Sequence, residues 1–168
     1  LILFSIGAMK ADFFLKLSGI TGESVDAKFK DHIEILGLNW KISQQTDMQR
    51  GAGGAIGRSD VGDVVITKLL DRSSPTLRLL CCQGTCLESA TVLKRKSGSI
   101  PLEYFKMTLN NVVISEIQLH LGEGGTPDLE TIRLSFSEFI EEYIPQNKIG
   151  SGGGAVRQGY SVTKRIKL

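Results

Sequence analysis

Apolar and polar positions alternate through most of this chain, and the alternation changes phase at a few points where strands are expected to bend. Phe13, Leu15 and Leu17 share one face of a first strand over Asp12–Ser18, closed by Gly19 and Gly22. After a charged connection from Glu23 to Asp31, Ile33–Gln45 predicts a longer second strand. Its apolar parity shifts from Ile33 and Ile35 to Leu36, Leu38, Trp40 and Ile42, which predicts a β-bulge near Leu36-Gly37. Val64 to Leu70 is β-branched and apolar on both faces, the pattern of a strand with no solvated side. Glu88–Lys96 predicts another strand. Beyond Pro101, Phe105, Met107 and Leu109 share a face, Asn110-Asn111 interrupts, and Ile117, Leu119 and Leu121 alternate with Glu116, Gln118 and His120. A turn over Gly122–Asp128 leads to Ile132, Leu134 and Phe136, which predict the return of an antiparallel hairpin. The phase switches again at Ser137-Glu138 toward Phe139 and Tyr143, which predicts a second bulge. Gly150–Gly154 is a connection, and Tyr160, Val162 and Ile166 make a last strand.

One stretch, Val61–Gly84, breaks this strand pattern. Asp71-Arg72-Ser73 ends the Val64–Leu70 run, and Ser74 followed by Pro75 predicts an N-cap and first helical residue. Leu77, Leu80 and Cys81 then fall at helical spacing, and Gly84 predicts a left-handed stop. So short a helix is marginal alone and must dock on the sheet. Between Thr46 and Asp60, by contrast, apolar content collapses and Gly51, Gly53, Gly54 and Gly57 crowd together, predicting a long extended loop. It lacks the lysine and hydroxyl residue of a phosphate-binding loop and leads into no helix, so nucleotide binding is not indicated. Short strands, two bulges and a single helix define the fold class: mainly β, an antiparallel β-barrel of two packed sheets with one short α-helix on the outside and a long extended loop.

Composition adds little to this picture. The 168 residues suit a single domain, and 41% hydrophobic with 23% charged residues is ordinary for a soluble protein. Residues 1–8 are apolar, too short to span a bilayer and without a preceding basic region, and are set aside as non-native ahead of a natural start at Met9. Residues 9–168 are then one domain with no signal peptide. A net charge of +2 is too small to argue for nucleic acid or an anionic membrane, no membrane insertion is expected, and Lys94-Arg95-Lys96 and Lys164-Arg165 read as solvated strand edges.

Candidate chemistry is sparse. Cys81, Cys82 and Cys86 are odd in number and crowded, unlike a secreted disulfide framework, and read as buried small apolar side chains of a reducing compartment, on and just after the helix. His32 and His120 lie far from them without ligand spacing, so no metal and no cofactor is expected. The pair Ser73-Ser74 has no histidine partner, Glu138, Glu141 and Glu142 read as a solvated strand edge, and His120 reads as solvent-facing. Catalysis is therefore unsupported. A monomeric barrel binding a ligand in its interior, or a hydrolase assembled across strands, are the rival classes.

The residues do resemble a known family, the haemolysin-coregulated protein (Hcp) family of type VI secretion. The closest likeness is Thr67-Lys68-Leu69-Leu70-Asp71-Arg72-Ser73-Ser74-Pro75-Thr76-Leu77, and Thr67, Lys68, Asp71, Ser74, Pro75 and Gly84 serve as helix cap and family marker. Gly22-Glu23-Ser24, Ile33-Glu34-Ile35-Leu36 with Trp40, Glu103-Tyr104-Phe105 through Val113-Ile114-Ser115, the glycine-rich loop and Gly159-Tyr160 follow in the family's order, covering essentially Lys10 to Leu168. Phe29 stands where histidine is frequent in the family, the cysteine cluster is unusual, and Tyr160-Ser161 replaces a tryptophan and an acidic residue.

The resemblance implies a structural subunit, not an enzyme. Its copies would form homohexameric rings that stack into the tube expelled by the contractile machine, alongside spike and sheath components, with small effector proteins in the lumen. It would assemble in the bacterial cytoplasm and leave through the type VI machine. On the same ground the extended loop is expected to make inter-subunit or stacking contacts through Gln45, Thr46, Asp47, Met48, Gln49, Arg50, Gly51, Gly53, Gly54, Gly57, Arg58 and Asp60. Its glycines permit close backbone approach.

Overall fold

The computed structural model describes residues 12–46, 56–96, 101–147 and 152–168. The residues 1–8 set aside above, and positions 47–55 at the centre of the expected loop, lie outside the described residues. In chain order the elements are β1 (Phe13–Leu17), β2 (Ile33–Glu34), β3 (Gly37–Asn39), β4 (Ile42–Thr46), β5 (Ile56–Val61), β6 (Val64–Leu69), α1 (Ser74–Gln83), β7 (Cys86–Lys96), β8 (Leu102–His120), β9 (Leu129–Ser135), β10 (Glu138–Tyr143), β11 (Val156–Ser161) and β12 (Ile166–Lys167). The protein is mainly β with one short helix, as its pattern predicts.

The strands form one ten-stranded sheet and a separate two-stranded ribbon, β4–β5. One path through the large sheet runs β12-β11-β10-β8-β7-β1-β2, and a branch runs from β8 through β9 and β6 to β3. Branching is possible because β8 is long and bent. Its first half pairs with β10, up to Asn110 opposite Glu138, and its second half pairs with β9 from Val113 opposite Ser135. The bend falls at Asn111, which adopts a left-handed φ of 52°, a conformation asparagine tolerates better than most residues. Asn110-Asn111 thus redirects one strand where an interruption is expected from sequence.

The parity change near Leu36-Gly37 is also larger than a bulge. The Ile35 amide donates to Phe13 in β1, and the next amide, Leu36, donates to Thr67 in β6. The chain changes partner between consecutive residues, so the expected single strand becomes β2, β3 and β4. Both ends of the path β2-β1-β7-β8-β9-β6-β3 therefore lie in Ile33–Asn39, and the sheet curls on itself without closing into a barrel.

Inside the curl lies the core: Leu15, Leu17, Ile33, Val64, Ile66, Leu77, Val92, Met107, Leu109, Ile132 and Leu134, each almost inaccessible to water. The first strand buries both faces, for Phe14 packs with Phe29 and Leu93 in a smaller cluster on the far side. The expected last strand is instead a hairpin, β11 and β12, turning through Arg165 at φ 57°.

Candidate assembly surface

Part of the expected loop is regular structure. Ile42–Thr46 and Ile56–Val61 pair antiparallel, Ser43 opposite Asp60 and Gln44 opposite Ser59, with a register shift before Thr46 opposite Ile56. Of the expected contact residues, Gln45 and Thr46 lie in β4, and Gly57, Arg58 and Asp60 in β5; Asp47, Met48, Gln49, Arg50, Gly51, Gly53 and Gly54 lie outside the described residues. Every residue of β4 is exposed. Gly57 is required by its neighbour, because a Cβ there would sit 2.6 Å from the Gln45 Cβ.

The base of the ribbon is fixed. The Trp40 indole N–H donates to the Gly62 carbonyl at 3.0 Å, and the Gly62 amide donates to Lys41 at 3.0 Å. The Trp40 ring meets Phe139 edge-on at 4.8 Å and Phe136 at 6.1 Å, anchoring both arms to the core. An isolated two-stranded ribbon is marginal in water. Held at its root, this one presents Ile42, 49% exposed, and a row of polar side chains to whatever lies beside it.

The marker residues gather into a buried ion network. Lys68, Glu130 and Ser74 are inaccessible to water. Lys68 and Glu130 are direct cross-strand partners of β6 and β9, and Lys68 Nζ reaches Glu130 Oε2 at 2.8 Å, Asp71 Oδ1 at 3.0 Å and the Leu69 carbonyl at 2.8 Å. It also donates to Ser74 Oγ at 3.1 Å, while that hydroxyl donates to Glu130 Oε2 at 2.5 Å. Arg78, reaching down from α1, pairs with Glu130 Oε1. Two cations and two carboxylates balance, which is how so many charges are accommodated out of water.

This corrects the helix cap. Ser73 occupies the N-cap position in an α-helical conformation, and its hydroxyl turns back to Asp71 Oδ1, which also accepts the Ser73 amide at 2.9 Å. Ser74 is the first helical residue, its hydroxyl spent on the network; Pro75 follows it in the first turn. The C-terminal expectation holds. Gly84 has φ 61°, its amide bonds Cys81 and the Thr85 amide bonds Leu80, a Schellman ending. Thr67, the remaining marker residue, is paired in the sheet between Gly37 and Thr131.

Sequence reasoning missed Glu130 and Arg78. The signal for Glu130 is its parity: it shares the inward face of β9 with Ile132 and Leu134. Lys68 likewise shares a face with Val64 and Ile66.

A second buried cation corrects the reading of Lys94-Arg95-Lys96 as a solvated edge, since β7 lies between β1 and β8. Arg95 is 7% exposed, donates from Nε to Asp12 Oδ1 at 2.8 Å and forks onto both oxygens of Asp26. Its guanidinium lies 5.3 Å from the Phe14 ring centre and 5.4 Å from that of Phe29. Hydrogen bonding to Arg95 holds the Asp26 carboxyl well below the usual carboxylate range, against the opposing effect of burial, and the amides of Lys28 and Phe29 assist. The same bond pushes Arg95 upward.

The remaining candidates stay apart. Glu138, Glu141 and Glu142 are half-buried on β10, between β8 and β11, and not at an edge. His120 is exposed at the tip of β8. The cysteines are not the buried side chains expected: Cys81 is half-buried, and Cys82 and Cys86, on the solvent side of the helix end and at the start of β7, are exposed, all as free thiols. Among the described residues no group of side chains is arranged to hold a metal ion, and no helix is long and apolar enough to cross a membrane.

Comparison with known proteins gives one consistent answer. A family profile described as "Type VI secretion system effector, Hcp" matches residues 14–143. Protein hcp1 of Pseudomonas aeruginosa is 33% identical over 162 residues, covering 95% of this chain and 99% of the relative. The crystal structure of Hcp1 from Salmonella typhimurium is 33% identical and superposes with a TM-score of 0.80 over 95% of this chain and 100% of that one. Another structure, of a type six secretion system protein, is 27% identical with a TM-score of 0.88, covering 94% and 99%.

Proposed function

This chain belongs to the Hcp family of type VI secretion tube proteins, and from that premise we propose that its copies close into hexameric rings which stack, are expelled by the contractile machine, and carry small effector proteins in the lumen. The rings would form in the bacterial cytoplasm, and spike and sheath components would be their further partners. The observation that supports self-assembly most directly is the β4–β5 ribbon, tied down at its root and exposed along the whole of β4. Such an arm gains stability when a neighbouring copy covers it.

A ligand-binding monomer fits less well. The interior of the curl is filled by Leu15, Leu17, Ile66, Met107, Leu109, Ile132 and Leu134, leaving the centre to side chains. The reading is one of structure and not of catalysis: Ser74, the hydroxyl with a lysine beside it, is sealed from solvent.

Mass measurement in solution with negative-stain imaging tests the proposal. Ring-shaped particles of hexamer mass are expected. A strictly monomeric species over a wide concentration range, with no rings, would overturn it.

A further inference from the structure

The two outermost strands of the long sheet path are β12 at one end and β2 at the other, and their surroundings differ in charge. Beside β2 lies a groove of about 600 Å³ whose walls include Leu36, Leu69 and Leu70, rimmed by Glu23 and Glu34. Leu36 is 58% exposed, Leu69 47% and Leu70 40%, an apolar floor open to water. Lys94 also borders the groove, but its ammonium lies over the Phe13 ring at 4.7 Å. At the other end, Lys164, Arg165 and Lys167 are exposed and interleaved with Ile166 and Leu168, which are 52% and 48% exposed. One edge is thus an apolar groove with acidic rims, and the other an apolar strand with basic neighbours.

We propose that these edges are the two halves of one heterologous contact: the β12 edge of one copy seats Ile166 and Leu168 in the Leu36–Leu69–Leu70 groove of the next, with Lys164, Arg165 and Lys167 facing Glu23 and Glu34. The occupant is a second copy because charge and apolar content match within the chain itself. Two different patches at opposite ends of the sheet make a head-to-tail contact, the kind that generates a ring when its rotation closes. Unlike charges then set register and encounter rate, while the leucines and isoleucine supply the buried area. The same arrangement covers short sheet edges that would otherwise invite unselective pairing. This inference rests on the ring reading above and names the surface that would build the ring, separately from the ribbon.

Charge exchange tests it. The variant K164E/R165E/K167E and the variant E23K/E34K are each expected to weaken ring formation by roughly tenfold or more in dissociation constant, since like charges now meet. Mixed in equal amounts, the two variants oppose unlike charges at both kinds of contact between unlike copies and should recover rings of alternating copies, and a single chain carrying both sets of changes should recover rings by itself. Circular dichroism checks that each variant is folded, and I166S, a single exposed change, should weaken rings without altering charge. Rings that persist unchanged in both charge variants and in I166S would overturn this inference and leave the ring reading standing. A wild-type protein that forms no rings would overturn both.

Discussion

The β6–α1 corner and the β4–β5 ribbon lie on either side of Gly62-Asp63, yet they are stabilised in opposite ways. In the corner, Lys68, Ser74 and Glu130 are sealed from water, and Lys68 and Glu130 are paired within the protomer. In the ribbon, β4 is exposed throughout and only its root is tied down, by Trp40 and Gly62. The buried charges of the corner have their partners within the protomer. The ribbon still has contacts to make, so a change in the first should be felt as protomer stability and a change in the second as assembly.

The largest effect is expected from Lys68→Met. It leaves Glu130 and Asp71 with Arg78 as the cation nearest them, and the loss should be about 3–5 kcal/mol in urea unfolding. Replacing both cross-strand partners, K68M/E130M, should recover part of that loss, because the fully buried carboxylate goes with the lysine, Asp71 keeps its bonds from Ser73, and the Arg78 side chain is 34% exposed to water. If the single variant unfolded like wild type, the buried ion network would contribute nothing to protomer stability. Ser74→Ala comes next, at about 1–3 kcal/mol, because it strips a buried hydroxyl from both Lys68 and Glu130. A loss confined to a few tenths would instead point to water filling the vacated site.

Acid provides a control from outside both regions. Asp26 has a depressed folded pKa, so its contribution, on the order of 2 kcal/mol, is present above the unfolded carboxylate value of about 3.9 and is lost as pH falls through the folded value. Wild type should therefore exceed D26N by a constant margin above roughly pH 5, shrinking as the medium is acidified below about pH 4. A margin that widened on acidification would contradict the Arg95 assignment.

A smaller effect, about 1 kcal/mol, is expected from Gly84→Ala, which places a Cβ at φ 61° but meets no neighbouring atom. Smallest of all is Gln44→Ala in the ribbon, within about 0.5 kcal/mol on protomer unfolding. Deleting residues 51–57 should likewise leave a folded protomer by circular dichroism while weakening rings or their stacking. Global unfolding after either change would erase the contrast between ribbon and corner.

Much of this molecule was legible from the chain alone. Alternation placed β1 and the β8–β9 hairpin, a continuous β-branched run placed β6, and Gly84 marked the end of the helix, because these depend on local burial pattern and on one left-handed residue. Motif order gave the family. A parity shift at Leu36 and the interruption at Asn110-Asn111 marked where the chain changes direction, but not what it turns toward. That Ile35 bonds to β1 and Leu36 to β6 is a fact about strands far apart in sequence. The same holds for Lys68 and Arg95: composition rules place a lysine or arginine at the surface, and only the approach of Glu130 across the sheet, or of Asp12 and Asp26 beside β7, makes burial possible. Local pattern fixes which face of an element turns inward; which partner meets it there is decided by long-range pairing, where the charges, the ribbon and the two unlike edges were set.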